Sequence, residues 1–381
     1  MPPRPRPSYT PKDDLAWEGS DEAADAWEIS LHKSEIYRAI AELILKYRPG
    51  EGAELHRPIR GGYNIVYRLE CKDGSSAVMR LPIKGLVRFL EEKVKYEVAT
   101  MQFIATNATI PVPKIYFAGT AGENPTGLEP FIIMESHAQI SLSSRQMADI
   151  LHQLSRFKFD QIGSLVRDEQ GNFSASGRPL IQNMNSIIDF TDAHPELLPS
   201  NPYTNSEDWC KALVDMHFLQ YTFQHDDAVK KNNGEQSVYD AYVGRQLLRN
   251  LAADRRLATG LGTQMGKTED SQYDFRLYSE DLRPSNVLID ANLNVVADLD
   301  DQIRARNSWN IEFPFWRFLD PESFGPGNEA ADYHARLSLL SKPQRRMMRE
   351  FVAKKLEESN VRELIDWDTH DAETHLKRFL I

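Results

Sequence analysis

The sequence predicts an α+β, bilobal chain: a small antiparallel-sheet N-lobe followed by a larger, mainly helical C-lobe. Three observations predict it. Residues 54–135 carry short apolar runs separated by turn residues, the pattern of strands and hairpins. From residue 142 onward apolar residues recur mainly at helical spacing. One later stretch, residues 277–301, returns to two strand-like runs around a short polar turn. The expected division is a disordered tail over 1–19, an N-lobe over 20–135 and a C-lobe over 136–381.

At 381 residues the chain is long enough for two lobes. A net charge of −11 disfavours a nucleic-acid surface. Two cysteines, Cys71 and Cys210, far apart in sequence, exclude a disulfide framework and point to a reduced, cytoplasmic setting. The N-terminal MPPRPRPSYTPKDD lacks the apolar run of a signal peptide, and no stretch approaches a membrane span. Neither nucleic acid nor membrane is therefore an expected partner.

Residues 20–48 predict one amphipathic helix, with Ile36, Ile40, Leu43, Ile44 and Tyr47 at helical spacing and Pro49-Gly50 as its stop. Residues 54–82 predict a meander. ELHRPIR leads into the turn Gly61-Gly62-Tyr63-Asn64, IVYRLE into a hairpin turn at Asp73-Gly74, and SSAVMRLP closes the set with Arg80 near its end. Glycine carries no Cβ, so backbone amides in such a turn can approach a phosphate closely. Gly61, Gly62, Asn64 and Arg80 are accordingly candidate nucleotide contacts.

Residues 87–105 predict a helix with Leu90, Val94, Val98, Met101 and Ala105 along its apolar stripe and Glu97 in its middle. In a phosphoryl-transfer fold such a helix carries the glutamate that pairs with the third-strand cation, here Arg80. KIYFAGT and EPFIIMES predict two further strands. Glu135 and Ser136 then mark the crossing between lobes, where an adenine would meet backbone groups.

Beyond residue 142, SSRQMADILHQLSRFKF predicts a helix, and FDQIGSLVRDEQGNFSASGRPLI reads as irregular with turn signals at Asp168–Asn172. A long helix follows with Trp209, Leu213, Met216, Leu219 and Phe223 on its apolar face, then another over SVYDAYVGRQLLRNLAADRR. The aromatic block Trp309, Phe313, Pro314, Phe315 and Trp316 predicts a core anchor. Helices within 328–357 and 361–381 close the chain.

The chemistry is concentrated in Leu277–Asp301, LYSEDLRPSNVLIDANLNVVADLDD. Folding the two runs about Asp290-Ala291-Asn292 brings Asn286 and Asp298 to one end, beside Asp281. Mg²⁺ prefers such oxygen ligands together with phosphate oxygens. Phosphoryl transfer needs an aspartate to orient the attacking hydroxyl and take its proton, and an asparagine and a second aspartate to hold the metal. The spacing Asp-x-x-x-x-Asn, then Asp after the next strand, is that of a kinase catalytic loop and its metal-binding partner. Asp300, in the same Asp-Leu-Asp, is a further candidate metal ligand.

Together these residues resemble the aminoglycoside phosphotransferase / choline kinase-type group of small-molecule kinases, which share the protein-kinase-like fold. The similarity runs in order over roughly residues 50–320. RGGYNIVYRL is similar to the group's phosphate loop, DLRPSNVLID to its catalytic loop and ADLDD to its metal-binding end. LSRFKFDQIGSL and WNIEFPFWRFLDPESFG resemble a fungal branch. The resemblance implies Asp281 as catalytic base, Asn286 and Asp298 as Mg²⁺ ligands and Glu97 as the helix partner. Arg283 falls where protein kinases often place a phosphate-touching lysine. ATP and Mg²⁺ are the implied cofactors, and a small molecule bearing a hydroxyl is the implied acceptor. Two positions depart from the pattern: Arg80 stands in place of lysine, and Ser279 in place of the histidine two before the catalytic aspartate. Arginine and lysine are not interchangeable, so a kinase-like fold that has lost phosphoryl transfer is the alternative expectation.

Overall fold

The computed structural model describes residues 14–136, 144–225, 229, 234–259, 275–277, 311, 314–359, 361 and 363–380. It is a mixed α/β structure with one principal antiparallel sheet and many helices. Two compact units are present: residues 20–185 with 272–297, and residues 1–19 with 186–271 and 298–381.

The first unit is built on the sheet. Two helices precede it, α1 (Asp14–Leu31) and α2 (Ser34–Tyr47), where one was expected. The break falls at Lys33, which is extended at φ −116°, ψ 136°. The next residue, Ser34, competes poorly for a helix interior and readily opens a new helix. Residues 14–19, expected in the tail, are helical; Ala16 is buried there and Trp17 stacks on Phe190 at 4.8 Å.

Six strands follow in the order β1-β3-β4-β6-β5, with β2 paired to β3. They are β1 (Gly52–Leu55), β2 (Ile59–Arg60), β3 (Asn64–Cys71), β4 (Ser76–Pro82), β5 (Ile115–Gly119) and β6 (Phe131–Glu135), and every pair is antiparallel. The expected first strand is two, because ELHRPIR contains Pro58, which has no amide to donate to a ladder.

Strand side chains alternate between faces, and here both faces are covered. Ile65, Tyr67, Leu69, Ala77, Met79, Leu81, Phe131 and Ile133 pack with Ala24 and Trp27 of α1 and Ile40 and Ile44 of α2. Val66, Val78, Ile132 and Met134 face the other way. There α3 (Leu90–Asn107) covers them with Val94, Val98 and Met101. Ala105, expected on that stripe, is exposed. Arg80 lies two residues after Val78, hence on the α3 face, opposite Val66 on β3 and Ile132 on β6.

After α4 (Ser144–Ser155) and β7 (Lys158–Phe159), the segment expected to be irregular forms a hairpin, β8 (Ser164–Arg167) with β9 (Phe173–Gly177), and α5 (Gln182–Phe190) follows it. The hairpin's turn is where the turn signals stood. The Asp168 amide donates to Asn172 O at 2.9 Å, and the Asn172 amide to Asp168 Oδ1 at 2.7 Å. Ser, Ala and Gly along β9 disguise the alternation that would have revealed the strand.

The second unit is helical. Its core joins α6 (Ser206–Phe223), α7 (Gly234–Ala253) and the helix Lys342–Glu358 through Phe218, Tyr221, Tyr242, Leu247 and Phe351. Phe315 and Trp316, in a π turn over Phe315–Leu319, belong to the same core, the anchor role expected of them; Trp309 and Phe313 of that block lie outside the described residues. On α6, Met216, Leu219 and Phe223 are buried as expected, whereas Trp209 and Leu213 are only partly so. The last turns of α6 are buried all round, from Phe218 to Phe223. Their carbonyls therefore need partners other than water. Lys355 supplies them: its ammonium, 1% exposed, donates to Thr222 O, to Gln224 O at 2.9 Å and to Glu358 Oε2 at 2.7 Å. Among the described residues no helix is long and apolar enough to cross a membrane.

Two predictions follow from this packing. Arg336 makes a two-pronged, buried ion pair with Asp320, both bonds at 2.8 Å, and reaches Gly325 O at 2.7 Å. Asp320→Asn leaves that guanidinium buried without its countercharge and should cost about 3 kcal/mol in urea unfolding. His375 stacks on Trp367 at 4.7 Å and meets Phe223 and Phe379 edge-on at 5.5 and 5.4 Å. Burial, aided by the Lys355 charge, pushes its pKa from 6.5 down to about 4. The unfolded chain then binds the proton more readily, so the stabilisation is complete above pH 6.5 and lost as pH falls toward 4. His375→Gln should remove this part of the acid sensitivity, about 2 kcal/mol across that window, in melts at stepped pH.

Candidate functional site

Strand β4 and helix α3 bring two expected residues together. Arg80 Nη2 donates to Glu97 Oε1, and Lys93 Nζ lies 3.7 Å from Glu97 Oε2. The Arg80 and Glu97 side chains are 20% and 28% exposed, so water screens the pair only in part. Burial opposes the charge on Glu97, but Arg80 and then Lys93 outweigh it and hold the carboxyl below the ordinary glutamate range. Two cations facing one carboxylate leave the trio net positive, a setting that suits an anion. Lys93 escaped the sequence reading. Its signal was available as the i, i+4 spacing to Glu97.

The glycine turn joins β2 to β3. The Gly61 amide donates to Asn64 O at 2.8 Å and is thus spent inside the turn. Asn64 begins β3 opposite Pro82, two residues beyond Arg80 on β4. A Cβ added at Gly62 would meet nothing within 4 Å, and Gly62 is not among the glycines with positive φ. The fold itself therefore makes no demand for glycine at 62.

Glu135 ends β6 opposite Ala77. Its amide donates to Lys114 O at 2.9 Å, and the Ser136 amide donates to Ser76 O at 3.2 Å. Both amides are engaged, so a purine at this edge would rely on carbonyl oxygens or on later residues. Asp281, Arg283, Asn286, Asp298 and Asp300, with Ser279, lie outside the described residues. Among the described residues no group of three or more His, Cys, Asp or Glu could hold a metal ion. A groove of about 400 Å³ runs along another side of α3, lined by Glu92, Tyr96, Ala99, Gly119, Thr120 and Arg167 among others; neither Arg80 nor Glu97 lines it.

No family model matches the chain. Two curated proteins of Aspergillus fumigatus, each described as a subtelomeric hrmA-associated cluster protein, from strains CEA10 and Af293, are 34% identical to it over 121 residues. The match covers 28% of this chain, and the chain spans 23% of the length of those relatives. Among solved structures, a Thermobifida fusca protein described as a "putative fructosamine-3-kinase" aligns over 90% of this chain and 98% of its own. The identity is 14% and the TM-score 0.41, a level that does not establish a shared fold.

The ion pair makes a testable statement about stability. The folded-state pKa of Glu97 is depressed, so its contribution is complete above the ordinary value of 4.5 and is lost as pH falls through the folded value. Glu97→Gln should cost about 1 kcal/mol in urea unfolding at neutral pH. The gap from wild type should close as the solution is acidified below the wild-type midpoint.

Proposed function

We propose that this chain is an ATP- and Mg²⁺-dependent phosphotransferase that moves a phosphoryl group onto a hydroxyl of a small molecule. The observation that carries the reading is the Arg80–Glu97 pair on the sheet face covered by α3. A strand cation steadied by a helix glutamate is the arrangement that holds nucleotide phosphates in phosphoryl transfer. The pair precedes, in the expected order, the series Asp281, Asn286, Asp298. The functional lobes in this reading are residues 20–135 and 136–381.

Each residue has a distinct task. Arg80, always charged, grips nucleotide phosphates while Glu97 fixes its direction; Lys93, beside Glu97, adds a second cation. Gly62, where the fold needs no glycine, leaves room for the phosphates; Gly61 and Asn64 shape that turn. Glu135 and Ser136 border the purine. Asn286, Asp298 and Asp300 are the oxygen ligands that would hold Mg²⁺, which when bound neutralises charge on the phosphates. Asp281 takes the proton of the acceptor hydroxyl as its oxygen bonds to phosphorus and the bond to the departing ADP oxygen breaks. Arg283 steadies the transferring group.

A second reading is a kinase-like fold that has lost phosphoryl transfer and serves as a binding module or catalyses other chemistry on a natural product. Arg80 and Ser279, both departures from the usual residues, favour it. Thermal melts separate the readings at their first step. ATP with Mg²⁺ should raise the melting temperature, and more so with concentration; no shift at millimolar ATP sinks the nucleotide site. Phosphate transfer is then screened over amino alcohols and sugars. On an accepted substrate, Asp281→Asn should leave nucleotide affinity nearly unchanged and lower turnover by about two to four orders of magnitude. Asp298→Asn should weaken Mg²⁺-dependent nucleotide binding as well. Full activity in Asp281→Asn removes the mechanism assigned here.

A further inference from the structure

Helix α3 is gripped from two sides. Toward the sheet the helix buries only Val94 fully, with Val98 and Met101 partly covered; Ala99, also buried, falls on the opposite side. The helix also begins without a side-chain cap at Phe89. On its outer side the hairpin β8–β9 and the residue after it make a denser set of contacts. Arg178 Nε donates to Glu92 Oε2 at 2.9 Å, and Tyr96 Oη donates to the same oxygen at 3.2 Å. Tyr96 Oη in turn accepts from the Arg178 amide at 3.1 Å. The Arg178 guanidinium lies 4.8 Å from the Phe89 ring centre. Further along, Arg167 Nη1 donates to Gln102 Oε1 at 3.2 Å, and Phe103 meets Phe157, Phe159 and Phe173 at 4.9, 5.7 and 5.4 Å. Gly177 lets the Tyr96 ring lie against β9: a Cβ there would come within 2.6 Å of the ring.

At about 100° per residue, Glu92, Tyr96 and Phe103 fall within about 40° of one another, with Val94, Val98 and Met101 on the opposite side. Glu97 follows Tyr96 directly and stands on the flank between the two grips. A turn of the helix about its axis moves both residues together. We infer that Glu92, Tyr96 and Arg178 form a brace that sets the rotation of α3 and thereby holds Glu97 against Arg80, making them positioning residues for the pair. The consequence for nucleotide use rests on the function proposed above; the effect on the pair does not.

The test reads the pair directly. The Glu97 carboxyl is followed by carbon-13 titration in full-length, glutamate-labelled protein, assigned by its loss in Glu97→Gln. In Arg178→Gln and in Tyr96→Phe its midpoint should rise toward the ordinary 4.5, and Arg178→Lys should recover much of the wild-type value. A general loosening of the fold would lower the melting temperature without such a selective shift. With ATP, the KM should rise about tenfold in Arg178→Gln while kcat changes less. If Arg178→Gln does not fold, Tyr96→Phe, which keeps the ring and removes only its hydroxyl, decides. An unchanged Glu97 midpoint in the variants that fold overturns the brace. Should wild type ignore ATP and Mg²⁺, the proposed function falls, and the titration still decides whether the brace exists.

Discussion

A charge taken partly out of water must meet its opposite, and in this chain that requirement ties a strand to a helix. Arg80 and Glu97 are 17 residues apart, with no shared element between them. They meet because strand alternation puts Arg80 on the same face as Val78, and because α3 lays its short apolar stripe on that face. A slip of one residue in β4 would send Arg80 to the face packed by α1 and α2, away from Glu97. The apolar pattern of the sheet and the electrostatics of the pair are thus one constraint. The residues that fill the core also decide where the guanidinium points.

Much of this was legible in the sequence, for identifiable reasons. β3, β4, β5 and β6 announce themselves by β-branched and aromatic residues between clear turns, and α3 by its periodic stripe. The approach of Arg80 to Glu97 follows from the order of those elements. What escaped depends on weaker signals. The two-residue strand β2 is too short to carry a period, and β9 is built of Ser, Ala and Gly. The break between α1 and α2 rests on a single extended residue, Lys33, within an otherwise helical pattern. The catalytic series from Asp281 to Asp300 is legible only as spacing, outside the described residues.

The two units meet the cost of buried polarity differently. Around α3 of the sheet unit Arg80, Glu97 and Lys93 stay partly wet, and Glu92 with Arg178 sits on the outer side of the helix. In the helical unit Asp320 and Arg336 go inside together and are matched bond for bond. Removing a partner in the second case strands a charge; in the first it chiefly frees a side chain to move. Adjustment at the Arg80 pair is therefore energetically mild, whereas the helical core tolerates little change in its ion pairs.

The lysine that closes α6 has a consequence for how the chain acquires its structure. Thr222 and Lys355 are 133 residues apart, and every residue between them must be made before that carbonyl gains its partner. Contacts of such separation are entropically slow to form. During synthesis the nascent α6 thus ends in carbonyls that only water can satisfy, and its C-terminal turns cannot be buried until the late helix arrives. The sheet, whose strands β1 to β6 lie within residues 52–135, needs no such wait. The order of synthesis therefore favours a chain whose sheet is assembled while its helical core is still open.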